Sequence, residues 1–213
     1  MKLIFLLIIA AVPAYVLGSV NGAIIASKYL YRKDIRKYGS GNPGLTNFYR
    51  VFGKAGVVLV VFIDVVKTVA PVLLGGFLIK HYFDMDMKLF GQEIAGFFVL
   101  LGHCYPVFYG FQGGKGIMAA GTILIVVDWR LALICWGVFI VITAATRYVS
   151  LGAIIGVAAF PTFQIILSFQ GAVCAGTKEH IVAIACAVLP IARHHANIAR
   201  LIQGKESKLS LKK

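Results

Sequence analysis

Residues 54–79 read KAGVVLVVFIDVVKTVAPVLLGGFLI, and after the opening Lys54 the run carries charge only at Asp64 and Lys67. It has neither the alternation of a half-buried strand nor the single polar stripe of a surface helix. An α-helix rises about 1.5 Å per residue, so ~20 apolar residues cross a ~30 Å hydrocarbon layer. This stretch is long enough to do so. Further apolar runs fall at 3–26, 93–110, 116–128, 131–146, 151–170 and 179–199. The expected fold is therefore an all-α integral membrane protein: a single bundle of about seven transmembrane helices occupying 1–213 as one domain. A short tail, about 204–213, follows the last run.

Composition agrees. The 213 residues are 60% hydrophobic and only 14% charged, and mean hydropathy is +0.88; soluble domains carry about a quarter charged residues. The N-terminal run resembles a signal peptide around Val12-Pro13-Ala14, but it stays apolar to about Ala26, longer than such a segment needs. A retained first span is expected. The four cysteines form no CxxC pair, and most sit inside apolar runs, as inert buried thiols do.

Charge sets the expected orientation. Counting spans alternately puts most Lys and Arg on one side: Lys28 to Lys54, Lys115, Arg147, Arg193, Arg200 and the tail lysines. The other side keeps Lys2, Lys80, Lys88, Arg130 and Lys178. Basic loops stay inside, so the N-terminus is expected outside and the C-terminus in the cytoplasm. The formal charge of +13 then reads as a basic inner face for anionic lipid or an anionic substrate, with no nucleic-acid partner.

Four polar clusters share that face. The first loop contains Asp34-Ile-Arg-Lys-Tyr-Gly39-Ser40-Gly41-Asn42-Pro-Gly44-Leu-Thr46-Asn47-Phe-Tyr-Arg50. Its glycines permit positive φ and close backbone approach, and its amides, hydroxyls and arginines suit an anion. No Gly-Lys-Ser/Thr closes it as a nucleotide loop. The plainer alternative is a flexible basic turn. The second cluster is Gly102-His103…Pro106 with Gly113-Gly114-Lys115-Gly116, a lysine in a glycine turn before a helix, which suits phosphate. The alternative is a hinge with a snorkelling lysine. The third is Arg147-Tyr-Val-Ser150, unremarkable alone.

The fourth is Arg193-His194-His195-Ala-Asn197 with Arg200. On a continuous helix Arg193, Asn197 and Arg200 share a face, as do His194 and Asn197. The adjacent histidines lack metal-ligand spacing, so neither a metal nor an organic cofactor is expected. Asp64 and Lys67, three apart inside a span, are expected to neutralise each other. None of the five histidines begins the His-x4-Asp pair of acyl-CoA-dependent acyltransferases. A transporter of phosphate or an organophosphate is the competing reading, and it predicts polar groups at mid-membrane.

Asp34-Ile-Arg36, Gly39-Ser-Gly-Asn42, Thr46-Asn47, Arg50, Gly102-His103, Pro106, Gly113-Gly-Lys-Gly116, Arg147-Tyr-Val-Ser150-Leu and Arg193-His194…Asn197-Ile…Arg200-Leu, then Gly204 and Glu206, resemble in order and spacing the acyl-phosphate–glycerol-3-phosphate acyltransferase family of bacteria. The resemblance implies acyl transfer from acyl phosphate to the 1-hydroxyl of sn-glycerol 3-phosphate, giving lysophosphatidic acid and inorganic phosphate. It implies a site on the cytoplasmic face of the inner membrane, with membrane lipids and a soluble acyl-phosphate-producing enzyme as partners. Ser40, Lys115, His194 and Asn197 become the expected catalytic residues. Gly39, Gly41, Asn42, Thr46, Asn47, Arg50, His103, Gly113, Gly114 and Ser150 become the expected substrate-binding residues. Departures from the family pattern fall at Asn21, where it has proline, at Thr68, where it has glycine, and at Met118 and Ala119, where a threonine is usual.

Overall fold

The computed structural model describes residues 1–83 and 87–209; the terminal lysines 212 and 213 lie outside them. The described residues form ten α-helices and no strand: α1 Lys2–Gly18, α2 Gly22–Tyr31, α3 Leu45–Phe52, α4 Val57–Tyr82, α5 Lys88–Cys104, α6 Ile117–Val127, α7 Trp129–Thr146, α8 Val149–Phe169, α9 Thr177–Arg193 and α10 His195–Ile202.

Four segments are long and apolar enough to cross a membrane: α1 with α2, α4, α7 and α8. A fifth appears if α9 and α10, bent by 62° at His194, count as one broken span. The 17-residue α5 falls short of the ~20 expected, and the 11-residue α6 reaches only ~16 Å. Several boundaries differ from the apolar runs for identifiable reasons. The first run divides at Ser19–Asn21, where Asn21 Oδ1 accepts from Ile24 N at 2.9 Å and starts α2 afresh. The expected 93–110 span stops at Cys104, and Pro106 opens a short 3-10 turn, Val107–Tyr109. At its other end the helix begins five residues before the expected span, taking in Lys88, Leu89, Phe90, Gly91 and Gln92.

The shorter α5 lies at the centre, packed against α1, α4, α6 and α9, while α7 and α8 form an adjoining pair. Without a hydrophobic drive between helices in lipid, close backbone approach does the work. At the α4–α5 crossing a Cβ on Gly75 would sit 2.6 Å from the Gly91 carbonyl oxygen, and one on Gly91 2.5 Å from that of Gly75. The outward faces are apolar: Phe62, Leu73, Phe77, Leu133 and Val141 are exposed. Cys104, Cys135 and Cys186 are buried.

The departures find local uses. Thr68 is fully buried with its hydroxyl returned to the Asp64 carbonyl at 2.7 Å. Met118 and Ala119 occupy the first turn of α6.

Candidate functional site

Lys115 leads into α6 through Gly116, whose φ of 81° suits glycine. Its ammonium donates to Asn197 Oδ1 at 2.5 Å. Asn197 Nδ2 donates to Glu206 Oε1 at 2.6 Å, and the same oxygen accepts from Ser150 Oγ at 2.7 Å. Arg200 Nε reaches Glu206 Oε2, also at 2.7 Å. These bonds fix the Asn197 amide: its oxygen faces a pure donor and its nitrogen a carboxylate.

Arg193 donates from Nη2 to the Gly113 carbonyl at 3.1 Å and from Nε to that of Gly114 at 3.3 Å, stacking on Tyr105 with 5.0 Å to the ring centroid. The glycine turn, the α7–α8 junction, α10 and the tail thus meet in one polar network.

The bend at His194 changes what the sequence implies. Arg193, Asn197 and Arg200 do not share one straight helical face, because α9 ends at Arg193 and α10 starts at His195. Arg193 turns to the glycine carbonyls and Asn197 to Lys115. His194 is buried, with Nδ1 2.8 Å from the Pro190 carbonyl. A carbonyl only accepts, so Nδ1 carries the proton and Nε2 keeps a lone pair.

The first loop curls on itself. Gly39 and Gly41 take φ of 59° and 72°, whereas Gly44, expected to be another such turn, is extended at −136° and precedes α3. Asn47 is buried; its Oδ1 accepts from Ser40 N at 2.9 Å and its Nδ2 donates to the Tyr38 carbonyl at 3.0 Å, so it shapes the loop. Asn42 is half-buried, and Ser40, Thr46 and Arg50 are exposed. No hydrogen bond among the described residues joins Ser40, Asn42 or Thr46 to the Lys115 network. The loop is attached by other means. Asn21 Nδ2 donates to the Pro43 carbonyl at 3.1 Å, and Arg36 Nη1 donates to the Tyr109 carbonyl at 3.0 Å while Asp34 grips its far side at 2.7 Å. Arg50 is close enough to Lys115 for its charge to act there.

His103 lies beneath the turn. It is 3% exposed, with Nδ1 2.9 Å from Lys67 Nζ, and its carbonyl accepts from Gly114 N at 3.0 Å. Gly113 and Gly114 are required sterically: a Cβ at Gly113 would lie 2.5 Å from Pro106 Cδ, and one at Gly114 3.1 Å from His103 Cδ2. Among the described residues no three His, Cys, Asp or Glu gather to hold a metal ion.

Charge is concentrated here. Burial lowers the Lys115 ammonium below the ordinary lysine range; neighbouring Arg200, Arg193 and Arg50 add to this and Glu206 opposes it. Burial would raise the Glu206 carboxyl, but hydrogen bonds from Ser150, Asn197 and Arg200 outweigh it and hold it below 4.5. Glu206 is the hub that sequence reasoning left without a role. Its signal was available: it is the sole acid after Glu179, set among basic tail residues.

Residues 8–204 match the family model for glycerol-3-phosphate acyltransferase. The curated glycerol-3-phosphate acyltransferase of Ralstonia nicotianae is 41% identical, covering 97% of this chain and 95% of its own. That of Thermoanaerobacter pseudethanolicus is 38% identical over 96% of each. Among solved structures, the glycerol 3-phosphate form of PlsY (YgiH), an integral membrane glycerol 3-phosphate acyltransferase, superposes with a TM-score of 0.80 at 35% identity. It covers 99% of this chain and 96% of its own. The lysophosphatidic acid form of PlsY superposes at 0.78 with 32% identity, covering 96% and 95%. With the match running through the glycine turn, the Asn197 segment and nearly every helix between, the chain belongs to the glycerol-3-phosphate acyltransferase family.

Proposed function

We propose that this glycerol-3-phosphate acyltransferase takes its acyl group from acyl phosphate and delivers it to the 1-hydroxyl of sn-glycerol 3-phosphate. The hydroxyl oxygen attacks the acyl carbonyl carbon, and the bond from that carbon to the phosphate oxygen breaks. Phosphate leaves with the electron pair, and the hydroxyl proton passes to the departing phosphate. The products are lysophosphatidic acid and inorganic phosphate. The observation that carries this reading is the Lys115–Asn197–Glu206–Ser150 network with three arginines around it.

Two phosphates and an oxyanion make the transition state strongly negative, so fixed cations and amides that meet this charge are the main source of rate. Lys115, presented by the Gly113–Gly114 turn, and the start of α6 face one phosphate. Arg50 with the Gly39–Asn47 loop (Ser40, Gly41, Asn42 and Thr46 included) faces the other. His194 and Asn197 orient glycerol phosphate and its attacking hydroxyl, and Ser150 holds Glu206 in register. Holding both substrates at one interface lowers the entropic barrier.

In this reading the whole chain, 1–213, is one seven-span domain of the bacterial inner membrane. Its N-terminus is outside and its site faces the cytoplasm, where a soluble enzyme supplies acyl phosphate. Most Lys and Arg lie on one side of the spans, with Lys2, Lys80, Lys88, Arg130 and Lys178 on the other and Lys67 inside a span, and this supports that orientation. The family match and the crowding of the polar network around one turn argue against a transporter. Detergent-purified protein mixed with acyl phosphate and glycerol 3-phosphate should yield lysophosphatidic acid and phosphate in equal amounts. Uptake of phosphate into proteoliposomes without acyl product would defeat the reading.

A further inference from the structure

Lys67 lies in the middle of α4 and is 5% exposed, where an unpaired ammonium is costly. Its three N–H bonds meet three acceptors: Asp64 Oδ1 at 2.9 Å, His103 Nδ1 at 2.9 Å, and the Val20 carbonyl oxygen. An ammonium has three donors and no lone pair. Lys67 therefore has nothing left for a ligand, and His103 Nδ1 accepts, leaving the ring proton on Nε2. Neutralising a charge within α4 needs only Asp64. The other two bonds leave the helix and run to two different parts of the chain.

One branch goes to the start of α2. Val20 adjoins Asn21 and Gly22; Gly22 N donates to Asp64 Oδ1 at 3.2 Å, and Asn21 Nδ2 donates to Pro43, inside the first loop. The other branch goes to His103, whose carbonyl binds Gly114 N and whose ring fills the space where a Gly114 side chain would stand. One buried ammonium thus ties the Gly39–Asn47 loop to the Gly113–Gly116 turn through short, saturated links. No hydrogen bond among the described residues joins loop and turn directly; the bond from Arg36 to the Tyr109 carbonyl, just outside both, is the nearest.

We propose that Lys67, with Asp64 and His103, is a positioning unit for acyl transfer, fixing the spacing between the Gly39–Asn47 loop and the Gly113–Gly116 turn without touching either substrate. The inference rests on the acyltransferase reading above, so its test includes a readout that needs no turnover. A displacement near 1 Å between substrate-holding segments costs about 100-fold in rate.

The informative variant is Asp64→Asn with Lys67→Met, because removing both charges together avoids a lone buried ion. Melting temperature in detergent checks its fold. Exposed Lys37 and Gln112, each changed to cysteine in a Cys174→Ser background and spin-labelled, report the separation of loop and turn. The expected result is a folded protein with a broadened label distance and kcat/KM down about 100-fold, the KM for both phosphate substrates rising together. His103→Asn and His103→Gln separate the two ring nitrogens: Asn keeps an acceptor near Nδ1, and Gln places its polar group near Nε2. The Asn variant should retain more activity than the Gln variant.

Wild-type kcat/KM in the double variant, or an unchanged label distance, overturns the proposal. So does His103→Gln outperforming His103→Asn, which would place Nε2 on substrate. Wild-type protein that makes no lysophosphatidic acid would instead sink the acyltransferase reading, and the label distances would still test the spacing.

Discussion

The Lys115 ammonium stands 2.5 Å from Asn197 Oδ1, a bond that spans 82 positions of sequence and joins the glycine turn before α6 to the first turn of α10. Asn197 has its other end on Glu206. The lysine is thereby aimed by a neutral group while its charge stays available. A carboxylate in the same place would cancel it.

Replacing Lys115 with alanine should lower kcat/KM by about 100-fold or more, the scale for removing one donor that meets developing charge. Asn197→Ala should cost a similar factor, since it loses both the lysine's aim and a substrate contact. Because the two side chains act as one unit, the double variant should lose much less than the product of the single losses. Initial rates at saturating and limiting glycerol 3-phosphate measure this. Additive losses would mean that the two groups work apart.

Lys115 also sets an alkaline limit. Its proton is held less tightly than in free lysine, so the charged form disappears at a pH below the usual lysine range. Rate should therefore fall with rising pH earlier than an ordinary lysine would dictate. Lys115→Arg, at reduced activity, should push that fall upward, because guanidinium stays protonated. A pH profile of kcat/KM between neutral and alkaline values decides it.

Glu206 acts at the opposite end of the scale. Its folded carboxyl titrates below its ordinary 4.5, so charged Glu206 stabilises the folded chain above that value. The contribution is lost as pH falls through the depressed folded value. Wild-type melting temperature should drop over that acidic window, and Glu206→Gln should show a lower but flatter curve. The tail should also loosen, since Glu206 anchors it to Ser150, Asn197 and Arg200. Proteolysis after Ile202 would be faster in the variant.

Much of this was legible in the sequence, and the rest for the most part failed for one reason. Apolar runs locate helices because the bilayer demands satisfied backbone, and all seven runs carry helix. They do not report where a helix bends or stops. Asn21 divides the first run by capping α2, Pro106 ends α5 early, and His194 marks a 62° break that no hydropathy window detects. The residue types of the site were readable as anion-binding chemistry, but their partners were not. Glu206 reaches back to Ser150, 56 positions away, as well as to nearby Asn197, and Lys67 sends two of its three bonds out of α4.

Packing gives a prediction independent of chemistry. Gly91→Ala would put a methyl group 2.5 Å from the Gly75 carbonyl oxygen, with backbone on the facing side that cannot swing away. The α4–α5 crossing must then open, at a cost of about 1–3 kcal/mol. Gly137, with nothing near its would-be Cβ, is the control: Gly137→Ala should leave the melting temperature unchanged or raise it. Equal effects at the two positions would refute close backbone packing as the basis of this crossing.

Asn21 offers the finest discrimination, because its two amide atoms do separate jobs. Oδ1 caps α2 on Ile24 N, and Nδ2 holds Pro43. Asn21→Asp keeps the cap, loses the donor and sets a carboxylate against the Pro43 carbonyl. Asn21→Ala loses both; the cap alone is worth ~1 kcal/mol and the buried bond about as much again. Aspartate should therefore spare part of the stability that alanine loses, because α2 still starts cleanly. Both variants should raise KM for substrate held by the Gly39–Asn47 loop, since in each the loop is released. If the aspartate variant keeps a wild-type KM, the loop's position does not depend on Asn21, and its attachment must run through Arg36 and Tyr109 instead.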